Sequence, residues 1–244
     1  MNTQPGWLRY TLKWGMFRTA VFGLLLAFVF GCAKFPEGGG GVFTKRFRFV
    51  IRLAAPVNPN YVYIFAINDA DDITGEHGGP LPVIAPPWGN GFVAGKATHF
   101  IRYDGFQPNG GYAVFKFVDQ TLLTYFQTGI PISFTTPGPD DNFLEFEIDA
   151  TQLRPNPNDA LQIRALQINL LTMDRVITDP NDHGPKHWDA LGDSRDPGSI
   201  DDYITIDTTG PRIYRNSDMQ NEPEGDVDDP SLDIVDWTIE VRTQ

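Results

Sequence analysis

Cysteine is the scarcest residue of this sequence, because Cys32 is the only one among 244 residues. One cysteine cannot form an internal disulfide, so an exported domain of this size depends on its hydrophobic core for stability. Serine is scarce as well, and none of the five serines lies in the G-x-S-x-G motif of a serine hydrolase. Gly89-Asn-Gly91 followed by Gly95 departs from the dinucleotide-binding fingerprint, because the third glycine comes one position late.

A hydrophobic run long enough to span a membrane is also lacking. The apolar stretch near the N-terminus, Ala20–Phe30, would rise about 16 Å as a helix, roughly half of a ~30 Å hydrocarbon core. Three basic residues, Arg9, Lys13 and Arg18, precede it, and no acidic residue does. A basic flank, a short apolar core and a small residue at its end are typical of a secretory signal peptide, here residues 1–31.

The apolar run ends in Val29-Phe30-Gly31-Cys32. This segment resembles the lipobox of bacterial lipoproteins, in which a small residue precedes a cysteine. The resemblance covers about the first thirty-two residues. It implies cleavage after Gly31, attachment of a diacylglyceryl group to the Cys32 sulfur and acylation of the new amino group. An uncleaved membrane anchor is the alternative interpretation.

The lipoprotein resemblance also predicts where the chain resides. Several acyl chains, at ~0.8 kcal/mol per buried CH₂, would make membrane attachment effectively permanent. Ala33 rather than an aspartate follows the cysteine, which by the same analogy implies the outer membrane in bacteria that have two membranes. Residues 32–41 then form a lipidated, glycine-rich tether, and residues 42–244 form a domain outside the cytoplasm.

Acidic residues outnumber basic ones by 31 to 19. Removal of residues 1–31 takes away three basic and no acidic side chains and changes the formal net charge from −12 to −15. Such a surface repels phosphate backbones, so nucleic acid is not an expected partner. Most of the excess lies between Asp174 and Asp236, where 17 acidic and 5 basic residues occur.

Alternating apolar and polar residues predict half-buried strands at 43–53, 142–149 and 234–242. The pattern of the last segment predicts four inward-facing side chains: Val235, Trp237, Ile239 and Val241. Three runs are apolar on both sides, as in strands covered on both faces, namely 61–67, 112–118 and 161–171. Segment 161–174 lacks internal glycine and proline, so a helix is the alternative there. Four shorter strands are predicted at 98–103, 122–126, 130–135 and 203–207.

Turn residues separate these runs, with 24 glycines and 20 prolines in the chain. Many short strands joined by turns predict an all-β domain. The expected architecture is a single antiparallel β-sandwich of immunoglobulin-like or jelly-roll type with roughly ten strands. Long acidic loops are predicted at Asp69–Lys96 and Asp179–Asp201, and loops of that length are usually functional or disordered.

The acidic loops make calcium the one expected cofactor, because calcium takes six to eight oxygen ligands from carboxylate-rich loops. The leading candidate ligands are Asp193, Asp196, Asp201 and Asp202. Two further acidic clusters are Asp69, Asp71, Asp72 and Glu76, and Glu224, Asp226, Asp228 and Asp229. None matches the twelve-residue EF-hand loop, so solvated surface acids are the alternative. His183 and His187 are four residues apart but are separated by Gly184 and Pro185, which favours a solvated loop over a helical metal site.

Two tryptophans, Trp88 and Trp188, fall in predicted loops. Exposed indoles flanked by amides and acids are suited to stacking on sugar rings, and Asn90, His187 and Asp189 are the predicted hydrogen-bonding neighbours. Indoles that fold back over the sandwich edge are the alternative. The sequence therefore predicts a lipid-anchored envelope protein whose domain binds or scaffolds a glycan or another envelope protein without catalysis. A glycan hydrolase with paired carboxylates is the enzymatic alternative, for which no pair can be singled out.

Overall fold

A computed structural model of the chain describes residues 44–74, 78–83, 90–108, 110–179, 181–196, 199 and 202–243. Within these ranges the chain forms 14 β-strands and three helices of four or five residues. The predicted all-β sandwich class is therefore confirmed. No helix in these ranges is long and apolar enough to cross a membrane.

The first sheet contains five strands: β1 (Lys45–Leu53), β8 (Ser133–Thr135), β9 (Phe143–Asp149), β13 (Arg212–Arg215) and β14 (Ile234–Thr243). They lie in the order β13-β14-β1-β9-β8, and every neighbouring pair is antiparallel. The first and last long strands, β1 and β14, are neighbours over their whole length. This pairing ties both ends of the domain into one sheet.

The second sheet contains seven strands: β2 (Val62–Ala70), β5 (His99–Tyr103), β6 (Tyr112–Phe117), β7 (Tyr125–Gly129), β10 (Ala165–Met173), β11 (Trp188–Ala190) and β12 (Ile204–Asp207). Six of them lie in the order β11-β10-β2-β5-β6-β7, and β12 pairs with the first half of β10. Two short strands, β3 (Pro80–Pro82) and β4 (Val93–Gly95), pair with each other. The helices are α1 (Ala150–Leu153), α2 (Pro157–Leu161) and α3 (Asn216–Met219).

The main core lies between the two sheets. Phe49 of β1 has its ring centroid 6.0 Å from that of Phe65 of β2, and the ring of Phe65 meets that of Phe146 of β9 edge-on at 4.6 Å. All three rings are buried. Full burial of such a side chain contributes about 1.5–3 kcal/mol, so this layer accounts for much of the stability of the sandwich.

A second apolar cluster covers the opposite face of the second sheet. Phe92, which precedes β4, packs against Phe100 and Phe117 at centroid distances of 4.9 and 6.4 Å, and Tyr125 closes the cluster from β7. The central strands β2, β5 and β10 of the second sheet are therefore buried on both faces. This arrangement explains why segments 61–67 and 112–118 are apolar on both sides.

The predicted inward face of β14 is wrong at the N-terminal end of the strand. The pairing of β1 with β14 passes from Arg52↔Asp236 to Leu53↔Ile234 and skips Val235. This β-bulge reverses the side-chain alternation, so Ile234 is fully buried and Val235 remains partly exposed. The predicted burial of Trp237, Ile239 and Val241 is confirmed.

Segment 161–171 is a strand only from residue 165 onward. Leu161 ends α2, which begins with Pro157 after the side chain of Asn156 accepts a hydrogen bond from the Asn158 amide at 2.9 Å. The strand interpretation is confirmed for β10, and the helical alternative is wrong there. The apolar residues of this segment are compatible with both a helix and a strand. The helix cap at Asn156, and not the hydrophobic periodicity, indicates that a helix comes first.

Several short elements differ from the prediction. Strand β7 begins at Tyr125 rather than 122, because Leu122 adopts a positive φ of 59° in the preceding turn. Strands β3 and β4 lie within the first predicted loop, and β11 lies within the second. Trp188 is therefore a strand residue and not a loop residue. Strand β13 and all three helices are too short to show a periodic pattern.

Candidate functional site

An open cleft of about 370 Å³ lies where β11 meets the acidic loop, which we define as residues 221–233, between α3 and β14. Three consecutive residues at β11, two from the turn after it and four from the acidic loop line the cleft. The lining residues are Lys186, His187, Trp188, Ser194, Arg195, Asp226, Val227, Asp228 and Asp229. The cleft therefore combines one indole with both signs of charge.

Strand β11 directs its residues to different environments. It pairs with the end of β10, placing Trp188 opposite Met173 and Asp189 opposite Thr172. Because successive side chains alternate across a sheet, Trp188 packs against the second apolar cluster and stays partly exposed, whereas Asp189 is completely buried on the other face. Strand β11 thus presents the indole to the cleft and the carboxylate to the interior.

A lysine and a histidine precede Trp188 along the cleft. His187 is exposed, and its Nδ1 lies 2.8 Å from Oδ2 of Asp174. The ammonium group of Lys186 donates hydrogen bonds to the carbonyls of Val83 at 3.0 Å and Gly91 at 2.8 Å, and burial lowers the pKa of Lys186 to about 8. Lys186 thus ties the backbone at Val83 and at Gly91 to the residues that precede β11.

Four carboxylates are buried at and beneath the floor of the cleft. We call Asp189, Glu222, Asp226 and Asp233 the buried acidic cluster, and none of them is more than 8% exposed. One carboxylate oxygen from each of Asp189, Asp226 and Asp233 lies within 4.8 Å of the others. In the part of the chain that the structure describes, this is the one such grouping of three potential metal ligands. Asp226 also lines the cleft and connects the two features.

Hydrogen bonds hold part of the cluster in place. Asp189 accepts from the Ala190 amide at 2.9 Å and the Ser194 hydroxyl at 2.8 Å on Oδ1, and from the Ile234 amide at 2.8 Å on Oδ2. Oδ2 of Asp226 accepts from the Ser194 amide at 2.7 Å. The Gly225 amide lies 3.1 Å from both oxygens of Asp233. These bonds join β11, the turn after it and the acidic loop.

Three oxygens of the cluster have no such partner. Oδ1 of Asp226 and both carboxylate oxygens of Glu222 are buried and accept no hydrogen bond from any described group. The Gly192 amide near Glu222 gives its hydrogen bond to the Asn221 carbonyl at 2.8 Å. Buried acceptors are almost always satisfied in folded proteins, so these oxygens require an explanation.

The electrostatics of the cluster are equally unusual. Burial is the main cause that raises the pKa of Glu222 to about 12, and the negative charges of Asp189 and Asp226 raise it further. For Asp189, burial and, to a smaller extent, the charge of Asp226 raise the pKa to about 8. The three hydrogen bonds that Asp189 accepts lower the pKa but do not outweigh these effects. Burial also raises the pKa of Asp233 to about 6. The cluster concentrates negative charge in the interior of the domain.

No described lysine, arginine or histidine forms an ion pair with these four acids. Arg195, at the rim of the cleft, instead pairs with Asp193, with its Nε 2.9 Å from Oδ1. Among the described residues, the cluster therefore has no direct cationic partner, and the charge of Arg195 reaches only Asp226 and Asp233 from the exposed rim.

The structure brings only part of the predicted ligand site together. Trp188 and His187 line the cleft, but Asp189 lies beneath it with its oxygens already hydrogen-bonded. The side chain of Asn90 is buried, donates to the Leu122 carbonyl at 3.0 Å and accepts from the amides of Phe92 and Val93, so it organises the backbone before β4. Trp88 and Cys32 lie outside the described residues.

The predicted calcium ligands lie apart from the buried cluster. Asp193 is engaged by Arg195, Asp196 and Asp202 are exposed, and Asp201 lies outside the described residues. Of the acids in the two further acidic clusters, only Asp226 belongs to the buried acidic cluster, and Asp189 is predicted from the sequence as a neighbour of the sugar-stacking Trp188. Glu222 and Asp233 were missed, although Asp233 stands between the apolar residues Leu232 and Ile234, which is a signal of burial.

Comparisons of this chain with protein-family models, with curated proteins and with solved structures found no match. The chemistry of the cleft and of the acids beneath it is therefore the basis for assigning a function to the domain.

Proposed function

We propose that this chain is a lipoprotein of the bacterial cell envelope whose β-sandwich binds a ligand without transforming it. The lipid on Cys32 holds the domain at a membrane surface outside the cytoplasm, in the outer membrane where two membranes exist. The basic flank, the short apolar run and the lipobox-like Val29–Cys32 support the anchor. The location of the only cysteine at the end of that run supports it further.

The ligand that the cleft fits best is a glycan. The observation that carries this proposal is the partly exposed indole of Trp188 in an open cleft among His187, Arg195 and the carboxylates of the acidic loop. A sugar ring offers an apolar face for stacking and hydroxyls that both donate and accept hydrogen bonds. A contribution from Trp88 stays a prediction from the sequence, because Trp88 lies outside the described residues.

Binding fits the carboxylate geometry better than hydrolysis does. A retaining glycosidase needs two carboxyl groups about 5–5.5 Å apart, and an inverting one needs about 6.5–9.5 Å, with the sugar between them. The oxygens of Asp189, Asp226 and Asp233 are within 4.8 Å of one another and are buried. A sugar ring has no space between them.

The test is a titration of the full chain, purified in detergent, with envelope and plant-type polysaccharides while tryptophan fluorescence is recorded. Substitution Trp188→Ala should weaken binding by roughly 1–3 kcal/mol, the range of other aromatic stacking contacts. Phe106→Ala is the control, because Phe106 is 79% exposed and does not line the cleft. Equal binding by the parent chain and the Trp188 variant would contradict the glycan proposal.

Scaffolding of another envelope protein is the second candidate. Five large apolar side chains between β6 and β8 are at least 36% exposed: Val118, Leu123, Phe126, Ile130 and Ile132. Contiguous exposed apolar residues mark protein interaction sites, and β7 is also a terminal strand of its sheet. A polysaccharide array without hits, together with one discrete protein adduct from a photo-crosslinker at position 126, would favour this function over glycan binding.

A further inference from the structure

Four buried acids without a cationic partner are costly unless something else neutralises them. Carboxylates removed from water normally pair with a cation, coordinate a metal or take up a proton. No described cation forms a direct ion pair with the buried acidic cluster; the charge of the exposed Arg195 interacts with Asp226 and Asp233, but its ion pair is with Asp193. Three oxygens of the cluster lack a hydrogen-bond donor. The choice is therefore between bound protons and a bound metal ion.

We propose that Asp189, Asp226 and Asp233, with Glu222 beside them, form a calcium site in the floor of the cleft. Calcium–oxygen distances are about 2.3–2.6 Å, so two oxygens on opposite sides of one ion are about 4.6–5.2 Å apart. That is the largest separation of two ligands of one ion, and the three aspartate oxygens, all within 4.8 Å of one another, meet this limit. All the donors are oxygens, as calcium prefers, and no histidine or cysteine belongs to the group.

The unpartnered oxygens provide the second, independent observation. Asp226 is 8% exposed, and its Oδ1 is an unused acceptor within the group of three aspartates. Glu222 is 5% exposed, its two oxygens are unused, and its charge interacts with those of Asp189, Asp226 and Asp233. Asp226 therefore offers a free lone pair within the group of three aspartates, and Glu222 offers two unused oxygens beside it. A cation of two charges satisfies these lone pairs and offsets the repulsion.

Such an ion connects segments that are distant in sequence. Asp189 belongs to β11, whereas Glu222, Asp226 and Asp233 belong to the acidic loop. The ion would hold this loop against the second sheet and fix Asp226 and its neighbours at the cleft floor. The proposal does not depend on glycan binding, because calcium binding is measured without any sugar.

The experiment is a thermal melt of the full chain in detergent with CaCl₂ up to 10 mM, MgCl₂ at the same concentration, or a chelator. Ligand that binds only the folded state raises the melting temperature, and a hundredfold excess over Kd should raise it by several degrees. Calcium is expected to do so and magnesium much less. Identical melts in calcium and chelator would overturn the site, and equal shifts by both metals would overturn its assignment to calcium.

Charge-neutral variants locate the site. Asp226→Asn and Asp233→Asn should each weaken calcium binding at least tenfold, while in chelator they melt no lower than the parent because one buried charge is gone. Asp218→Asn removes an exposed acid from α3 and should keep the full calcium shift. A calcium shift that persists in both cluster variants would show that the ion binds elsewhere and would overturn the proposal.

Terbium luminescence decides the question if those variants do not fold. Tb³⁺ replaces Ca²⁺ at oxygen sites and emits when a nearby indole is excited. Trp188 precedes Asp189, and Nε1 of Trp237 donates to Oδ1 of Asn221, beside Glu222, at 3.2 Å. A sensitised signal that calcium displaces and Trp188→Phe reduces is expected. Absence of a calcium-displaceable signal from the parent chain would overturn the proposal.

Discussion

Asp69 shows how one buried carboxylate can be fully compensated. Nε of Arg154 lies 2.5 Å from its Oδ2, the hydroxyl of Thr98 bonds its Oδ1, and Nδ1 of His99 lies 3.5 Å away. Burial alone would raise the pKa of Asp69, but these hydrogen bonds together hold it well below its usual range. The same acid was a calcium candidate in the sequence, and the structure assigns it to an ion pair instead.

Replacement of Arg154 by Met should destabilise the domain by about 1–3 kcal/mol at pH 7. Loss of one partner from a buried pair costs about 3–5 kcal/mol, and the 23% exposure of the Arg154 side chain reduces that figure. A carboxyl group with a depressed pKa stabilises the fold above its unfolded pKa of ~3.9 and loses this effect as the pH falls. The difference between parent and variant should therefore be complete at pH 7 and 5 and smaller at pH 3.

Urea unfolding of both chains at these three pH values measures that difference. Arg215→Met is a matched control, because Arg215 is an exposed arginine at the end of β13. A difference that stays constant down to pH 3 would mean that Arg154 acts through packing rather than through the charge of Asp69.

Individual site residues could be predicted only as far as local sequence determines their surroundings. Trp188 and His187 stood out because an indole and a histidine lie among charged residues, and both do line the cleft. The burial of Asp189 depends on β11 pairing with β10 and on the acidic loop folding over it, and both contacts are long-range. Composition shows that the loop is acidic but not which acids turn inward.

At the level of elements, long strands were predictable and short ones were not. Burial alternates over all nine residues of β1 and over the first six of β9, and the inward faces of both strands match the sequence pattern. Strand β11 has three residues, so its pairing is set by β10 and not by its own periodicity. The bulge in β14 is similar, since nothing in the alternation distinguishes Val235 from a regular inward residue.

The bulge in β14 can be tested by comparing the stability of two variants with substitutions at adjacent positions. Ile234→Ala should lower the unfolding free energy by about 2–5 kcal/mol, because Ile234 is fully buried in the main core. Val235→Ala should cost less than about 1 kcal/mol, because that side chain is partly exposed. Equilibrium urea unfolding of the two variants makes each a control for the other. The reverse order would show that β14 follows the unbroken alternation instead.

For the whole molecule, the distribution of charge matters more than its total. On the outer face of the first sheet, acids and arginines alternate across strands, as in the pairs Arg48–Glu145 and Arg242–Glu147, at 2.8 and 2.9 Å. That face is nearly neutralised. The surplus lies between Asp174 and Asp236, a stretch that includes the acidic loop and all nine residues lining the cleft. A field of this sign attracts metal cations and repels anionic surfaces.

The same charge limits the ways in which the domain could attach to a membrane. A domain of net charge −15 after removal of residues 1–31 is repelled by anionic lipid headgroups, so electrostatics cannot hold it at a bilayer. If Cys32 carries the lipid, Cys32→Ser should abolish incorporation of radiolabelled palmitate and leave the chain as a precursor or release it into the aqueous phase on detergent partitioning. Ala33→Ser keeps the cysteine and should behave like the parent chain. A Cys32→Ser chain of mature size has lost the apolar run and has no cysteine to carry an acyl group. If that chain still entered the detergent phase, something other than a lipid on Cys32 would hold it there, and lipidation would be contradicted.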